Sequence, residues 1–265
     1  MRITILSSLS FAALTACTHA VTSASNGYPT PTPKLVGAAD WAARVGREVE
    51  EASITGDVNR MDHAHDMIDR ALETFPNDPL LLHYQGFERY SEANLLEGVN
   101  RREEVPPLLE RARAALEQSN SVQPLPETHA LLAAVLGRMI GQNPSLGSVL
   151  GPQTQQEMQA ARTSGPSNPR VWLLQGISSI YTPAQYGGGL QVAESQLRQA
   201  ISLFATDRPN PPYPSWGRAE AYAWFGQVMQ KEGKNPEAIA AYNQALAYEP
   251  KYTWVKTVLL PAAGR

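Results

Sequence analysis

The sequence predicts an all-α domain of stacked helix pairs, and three observations carry that prediction. Small residues recur along the chain at a roughly 40-residue interval, each at a spacing that suits helix contact. Helical periodicity starts near Ala38 and continues with few interruptions, with no run of alternating β-branched residues to suggest a sheet. Prolines at 76, 166 and 250 close three of the units, where a ring that cannot continue the backbone hydrogen-bond ladder ends a helix.

The last unit is the clearest. Tyr222, Phe225, Gly226, Met229, Ala238, Tyr242, Ala245 and Pro250 fall at W-x2-L-G-x2-Y, then A-x3-F-x2-A, then P. This spacing resembles the tetratricopeptide repeat (TPR), a helix–turn–helix unit of about 34 residues. Gly226 and Ala238 belong where two helices press together, because a larger side chain there would hold the backbones apart. Ala245 sits on the packing face of the second helix. Tyr222, Phe225 and Tyr242 fill the remaining space.

Four further units align with it in order. The first has its second helix over residues 62–78, with Ala64, Ile68, Ala71 and Pro76, and a partner helix over 40–53. The second opens on Leu82 and Gly86 and is completed by Leu108, Ala112 and Ala115. The third opens on Ala130, Ala133 and Ala134 and is completed by Met158, Ala161 and Pro166. The fourth opens on Trp172 and Gly176 and is completed by Ala193, Leu197 and Ala200. The gap between the two packing positions is shortest from Gly226 to Ala238. It grows from Gly176 to Ala193 and from Ala134 to Thr154, and is longest from Gly86 to Leu108. Such extra residues fall between the helices of a pair or lengthen them, and in a stacked array they project from one edge. After Pro250, residues 251–260 read as a short capping helix that Pro261 stops. The expected architecture is a TPR-like α-solenoid of about five helix pairs with a C-terminal capping helix.

The N-terminus carries a different signal. Arg2 is followed by an apolar run and then Leu14-Thr15-Ala16-Cys17. The run is too short to span a membrane and reads as a removed signal. The tetrapeptide resembles the lipobox of bacterial lipoproteins, which implies a lipidated Cys17 and anchoring by several acyl chains. Thr18 in place of an aspartate favours the outer membrane, with the protein facing the periplasm. A plain secretory signal cut after Ala20 or Ala24, leaving a soluble periplasmic or secreted protein, is the alternative. The domain plan is a signal peptide at 1–16, a flexible tether rich in Ser, Thr and Pro at 17–36, and a helical repeat domain at 37–265.

Composition narrows function by exclusion. The net charge is −3 over 265 residues, so no basic field points to nucleic acid. Cys17 is the only cysteine, so no intramolecular disulfide forms. No H-E-x-x-H, G-x-S-x-G or phosphate-loop spacing occurs, and no enzyme class gains support. Asp62, His63, His65, Asp66 and Asp69 look metal-like, but His63 and His65 diverge on a helix, and His65 with Asp69 gives only two ligands. A solvated charged face explains them, as it explains the cluster from Arg101 to Glu104. No metal and no cofactor is expected.

Two inserts stand out. Tyr181-Thr182-Pro183-Ala184-Gln185-Tyr186-Gly187-Gly188-Gly189 interrupts the fourth unit. With Trp172 and Trp216-Gly217 it resembles a group of exported bacterial TPR proteins marked by a Y-T-P-x-x-[FY]-G-G-G loop, for which no activity is assigned. The loop reads either as a structural plug or as a ligand contact. The proline-rich stretch from Asp207 to Trp216 reads as a stiff connector, or as a wall of a pocket shared with the glycine loop. The resemblance to TPR arrays implies a non-catalytic scaffold that holds a protein or peptide partner on its concave face. Repeat phase nominates Tyr84, Arg89, Gln175, Ser179, Tyr181, Tyr186, Gln227 and Gln230 for that contact. It nominates Gly86, Ala134, Gly176, Ala193, Gly226, Ala238 and Ala245 for repeat packing. A small ligand enclosed by the inserts, as in TPR lipoproteins that accompany solute transporters, is the second functional class.

Overall fold

The computed structural model describes residues 37–264. Cys17, the signal and the tether lie outside the described residues. Ten helices form five pairs: α1 (Ala38–Thr55) with α2 (Val58–Thr74), α3 (Pro79–Gly98) with α4 (Val105–Val122), α5 (Pro126–Gln142) with α6 (Gly147–Ser164), α7 (Pro169–Tyr181) with α8 (Leu190–Phe204), and α9 (Arg218–Lys231) with α10 (Asn235–Tyr248). No strand occurs among the described residues.

Local chemistry sets the boundaries. Asp78 and Asn168 cap α3 and α7, accepting from Leu80 N–H and Leu81 N–H and from Arg170 N–H respectively. In both cases a proline follows at the first helical position, where a missing N–H costs nothing. The turns Pro76-Asn77-Asp78-Pro79 and Pro166-Ser167-Asn168-Pro169 therefore stop one pair and start the next by the same device. The second helix of the first pair starts at Val58, earlier than the pattern from 62 suggests. Asp57 accepts the Arg60 N–H, and Gly56 supplies the left-handed turn before it.

Pairs interlock through missing side chains. A Cβ on Gly86 would stand 2.6 Å from Leu116 Cδ2, one on Gly176 2.7 Å from Leu197 Cγ, and one on Gly226 2.7 Å from Tyr242 Cδ1. In these three pairs the first helix thus offers a notch that a bulky residue of its partner fills. Ala134 holds the equivalent place in α5, and Ala193, Ala238 and Ala245 are buried on the second helices. Successive first helices touch (α1 with α3, α3 with α5, α5 with α7, α7 with α9), and each second helix also meets the first helix of the next pair. This makes an inner layer of first helices. α3, which touches α1, α2, α4 and α5, is consequently buried on nearly every side.

Three of the lengthened connections fall inside the pairs, and the longest, residues 205–217, joins the fourth pair to the fifth. A 3-10 turn at Arg102–Glu104 separates α3 from α4, one at Pro144–Leu146 separates α5 from α6, and one at Ala184–Tyr186 precedes the glycines before α8. The C-terminus departs from expectation. Residues Val255–Leu259 form a π-helical turn, and α11 (Leu260–Ala263) follows with Pro261 in its first turn. Pro261 starts this last turn and does not stop the cap, because a proline near a helix start removes only an N–H that had no partner. Thr253 Oγ1 donates to Thr55 O at 2.7 Å, and Lys251 Nζ lies 3.2 Å from Glu51 Oε1. The cap therefore bonds to α1, and the two ends of the array meet.

Candidate functional site

The inner layer is not an empty groove. Residues 207–216, between α8 and α9, form a strap that turns back over α1 and α3. Arg170 of α7, 1% exposed, anchors its start by an ion pair to Asp207 at 2.7 Å. Arg218 adds bonds to the carbonyls of Phe204 and Asp207. Trp216, 4% exposed, anchors its end, stacked on Phe87 of α3 with ring centroids 4.7 Å apart. Gly217 follows at φ 111°, where a Cβ would meet Leu173 and Phe204. Between the anchors the strap is mostly exposed, and Tyr84 Oη donates to Pro212 O at 2.8 Å. Gly46 makes that bond reachable, since a Cβ there would stand 2.7 Å from the Tyr84 ring.

Beneath the strap lies a cavity of about 100 Å³. α1 lines it with Gly46, Arg47 and Glu50, α3 with Tyr84, and the strap with prolines and Trp216. Neither Arg47 nor Glu50 forms an ion pair among the described residues, and the buried Trp216 indole N–H has no acceptor. Burial pushes the Glu50 carboxyl up to about 8, with Glu220 and Glu249 adding repulsion that Arg170 partly offsets. Burial also pushes Glu220 up to about 7. His83, behind Tyr84, is held neutral, down to about 3, by burial and the Arg170 charge, and its Nδ1 sits 3.0 Å from Thr128 Oγ1. It joins α3 to α5 as a packing residue.

A second feature reaches the surface at one end, its tryptophans being half-buried. Tyr181 at the end of α7, 66% exposed, meets Trp224 of α9 edge-on at 6.4 Å. Trp224 packs at 5.1 Å on Trp254 of the cap, which is 6.2 Å from Tyr252. Three separate elements thus form one aromatic strip. Its outer end is Tyr181, where the glycine loop begins. That loop folds on itself: Gly189 N–H donates to Ser179 O at 2.8 Å, and a Cβ on Gly188 would stand 2.5 Å from Thr182 Cβ. Tyr186 is 68% exposed at its tip, so it plugs nothing.

The residues nominated for partner contact separate into three groups. Tyr181 and Tyr186 are exposed. Tyr84 faces inward, 2% exposed, and is engaged by the strap. The others are buried or half-buried, and four of the five bond to neighbouring helices. Ser179 donates to Gln196 of α8 at 2.7 Å, Gln175 accepts from Arg162 of α6 at 3.1 Å, and Gln230 accepts from Tyr242 of α10 at 3.0 Å. Gln227 is half-buried, with its Oε1 unpartnered. Arg89 is buried against Glu88 at 3.3 Å and Glu92 at 3.1 Å, and His65 Nδ1 is 2.6 Å from its Nη2. Among the described residues, no group of three or more His, Cys, Asp or Glu is placed to hold a metal ion. No helix among them is long and apolar enough to cross a membrane.

Sequence reasoning missed Glu50, Phe87, Arg170, Trp224 and Trp254. The tryptophans carried a usable signal, being large, few and adjacent to the units' packing positions. Nothing in the sequence marks Glu50, whose environment is made by α9 and the end of α10.

No protein-family model matches the chain, and no curated protein matches it. Solved structures do. A thermophilic TPR protein of Thermus thermophilus superposes with a TM-score of 0.58 at 20% identity, over 84% of this chain and 96% of that one. The HusA haemophore from Porphyromonas gingivalis superposes with a TM-score of 0.58 at 21% identity, over 72% of this chain and 94% of that one. At such identities the likeness concerns the fold alone. The chain has the TPR-like helical-repeat fold.

Proposed function

We propose that the protein is a non-catalytic scaffold that holds a protein or peptide partner, and that the aromatic strip of Tyr181, Trp224 and Trp254 is its contact surface. The strip carries this reading. Clustered tryptophan and tyrosine drawn from separate rigid elements is the composition of interface hot spots, because such rings bury much area at little entropic cost. A photo-crosslinking amino acid at position 181 should capture a defined partner in cells, and one at exposed Arg111 on α4 should not. Equal yields at both positions would contradict the reading. The cavity beneath the strap, about 100 Å³, is itself small beside the 300–1,000 Å³ of ordinary ligand sites. The haemophore likeness transfers a fold and not a cargo.

The lipobox-like Leu14-Thr15-Ala16-Cys17 supports a further part of the proposal, a lipid anchor at Cys17 holding the scaffold on the periplasmic side of a bacterial outer membrane. Cys17→Ser should move the protein from the membrane fraction to the soluble fraction. Retention in the membrane fraction would contradict the anchor.

A further inference from the structure

From the strap and the cavity beneath it we infer that residues 207–216 are a built-in, exchangeable occupant of a groove between α1 and α3, and that the groove accepts a proline-rich segment bearing a basic residue from a partner chain. The inference rests on the scaffold reading and names the partner's chemistry. The strap itself shows what the groove takes. Its carbonyl at Pro212 is met by the Tyr84 hydroxyl, and its Trp216 ring stacks on Phe87. An aromatic hydroxyl donating to a carbonyl in a proline-rich segment is how aromatic-lined grooves hold such ligands, whose stiffness lowers the entropy lost on binding.

The strap also fits imperfectly, and the misfit is what makes exchange reasonable. Its two ends are anchored in protein, but its tip is exposed and latched by the single bond from Tyr84. A neutral hydrogen bond of that kind contributes on the order of 1 kcal/mol. Under the tip the cavity has room for roughly three water molecules. The Glu50 carboxyl lines that space without a cationic partner, and the strap brings no amine or guanidinium to it. Arg208, the strap's own cation, is exposed and donates to the Asp207 carbonyl.

Charge selects the incoming segment. Glu50 stands near Glu220, Glu249 and Glu51, with Arg170 the opposing cation, so the field at its carboxyl favours a positive charge. Arg47, at the solvent side of the same cavity, is exposed and therefore screened. A proline-rich segment placing a lysine over Glu50 would fill the void, supply the missing charge and reproduce the Tyr84 bond. The strap achieves only the last.

The test compares the intact chain with a variant in which residues 208–213 are replaced by a Gly-Ser linker of equal length. This keeps Asp207, Pro214 and Trp216 as anchors. The probe is a labelled synthetic peptide with the sequence of residues 208–213 carrying Tyr213→Lys, and its control carries Tyr213→Gln. Tyr213 is chosen because it lines the cavity and lies in the stretch the linker replaces. By fluorescence anisotropy the linker variant should bind the lysine peptide about tenfold or more tighter than the intact chain does. Glu50→Gln in the linker variant should abolish the preference for the lysine peptide over the glutamine peptide, and Tyr84→Phe should weaken both. Should the linker variant fail to fold by circular dichroism, the double substitution P211G/P212G loosens the tip without touching the groove and should tighten binding in the same direction. Equal affinity for the intact and loosened chains, or equal affinity for the two peptides, would overturn the inference. So would dimers of the loosened chain in sedimentation, since the groove's occupant would then be a second copy. Crosslinking at position 181 does not involve the groove, so a flat titration alongside specific crosslinks would remove this inference and leave the scaffold reading standing.

Discussion

Gly226 has a Tyr242 ring where its Cβ would be, and the phenol is fixed by its bond to Gln230 Oε1 at 3.0 Å. The ring cannot yield without breaking that bond or moving α10. Gly226→Ala should therefore destabilise the chain by roughly 1–3 kcal/mol, the cost of overpacking a filled core, read as a lower urea midpoint. Gly141 in α5 has nothing within 4 Å of its missing Cβ and no positive φ. There the same change should stabilise by about 0.5–1 kcal/mol through helix propensity alone. Opposite signs at the two glycines would establish that the first is a packing notch and the second is incidental. If both substitutions stabilised the chain, the interlocking of α9 with α10 would be disproved. This distinction was legible in the sequence at Gly226, where tyrosine and alanine neighbours fix the phase. It was not legible for Ser179, Gln175 and Gln230. A polar residue one helical step from the inner face can bond to a neighbouring helix as readily as to a partner.

At the scale of elements, the sequence placed both inserts along the chain and named neither's neighbours in space. Three glycines in a row require a turn that other residues avoid, and Gly187 and Gly189 do have φ of 85° and 106°. Gly188 is constrained differently, by contact: a Cβ would meet Thr182 Cβ and run into its carbonyl. Gly188→Ala should break the closure from Gly189 N–H to Ser179 O and lower the melting temperature, by about 1–3 kcal/mol in stability. Tyr186→Ala at the exposed tip should change stability by less than about 0.5 kcal/mol. A larger effect at Tyr186 than at Gly188 would restore the plug reading. The strap shows where sequence reasoning ends. Four prolines state that it is stiff, but its destination depends on Tyr84, 128 residues earlier in the chain. The pocket-wall reading was closer than the connector reading, yet the walls come from α1 and α3. No local pattern encodes a contact between elements that far apart in sequence, whereas helix existence, pairing order and the lengthening of each pair follow from spacing within one unit.

On the scale of the whole molecule, the closure of the array sets an electrostatic problem that no single unit contains. Where the first and last pairs meet, Glu50 and Glu51 of α1 approach Glu220 of α9 and Glu249 at the end of α10, with Arg170 and Lys251 as the nearby cations. Burial first, and mutual repulsion second, push Glu50 to about 8, and burial holds Glu249 above its ordinary value. The folded chain therefore binds protons that the unfolded chain has released, and the sign follows from linkage. The contribution is intact below the ordinary carboxyl range near 4.5 and is lost progressively as pH rises from there to about 8. Glu88, pushed up to about 8 by burial despite Arg89, adds a slope of the same sign away from this seam. Comparison with a variant separates the two. The melting temperature should fall between pH 5 and pH 8, and Glu50→Gln should fall less, ending above the parent at pH 8 by on the order of 2–4 °C for each kcal/mol recovered in a domain of this size. Glu51→Gln instead removes the partner of Lys251, so it should loosen the cap without flattening the pH dependence to the same degree. Parallel melting curves for the parent and Glu50→Gln across that interval would mean that the acids at the seam do not sense closure, and that the ends of the array meet without coupling to protons.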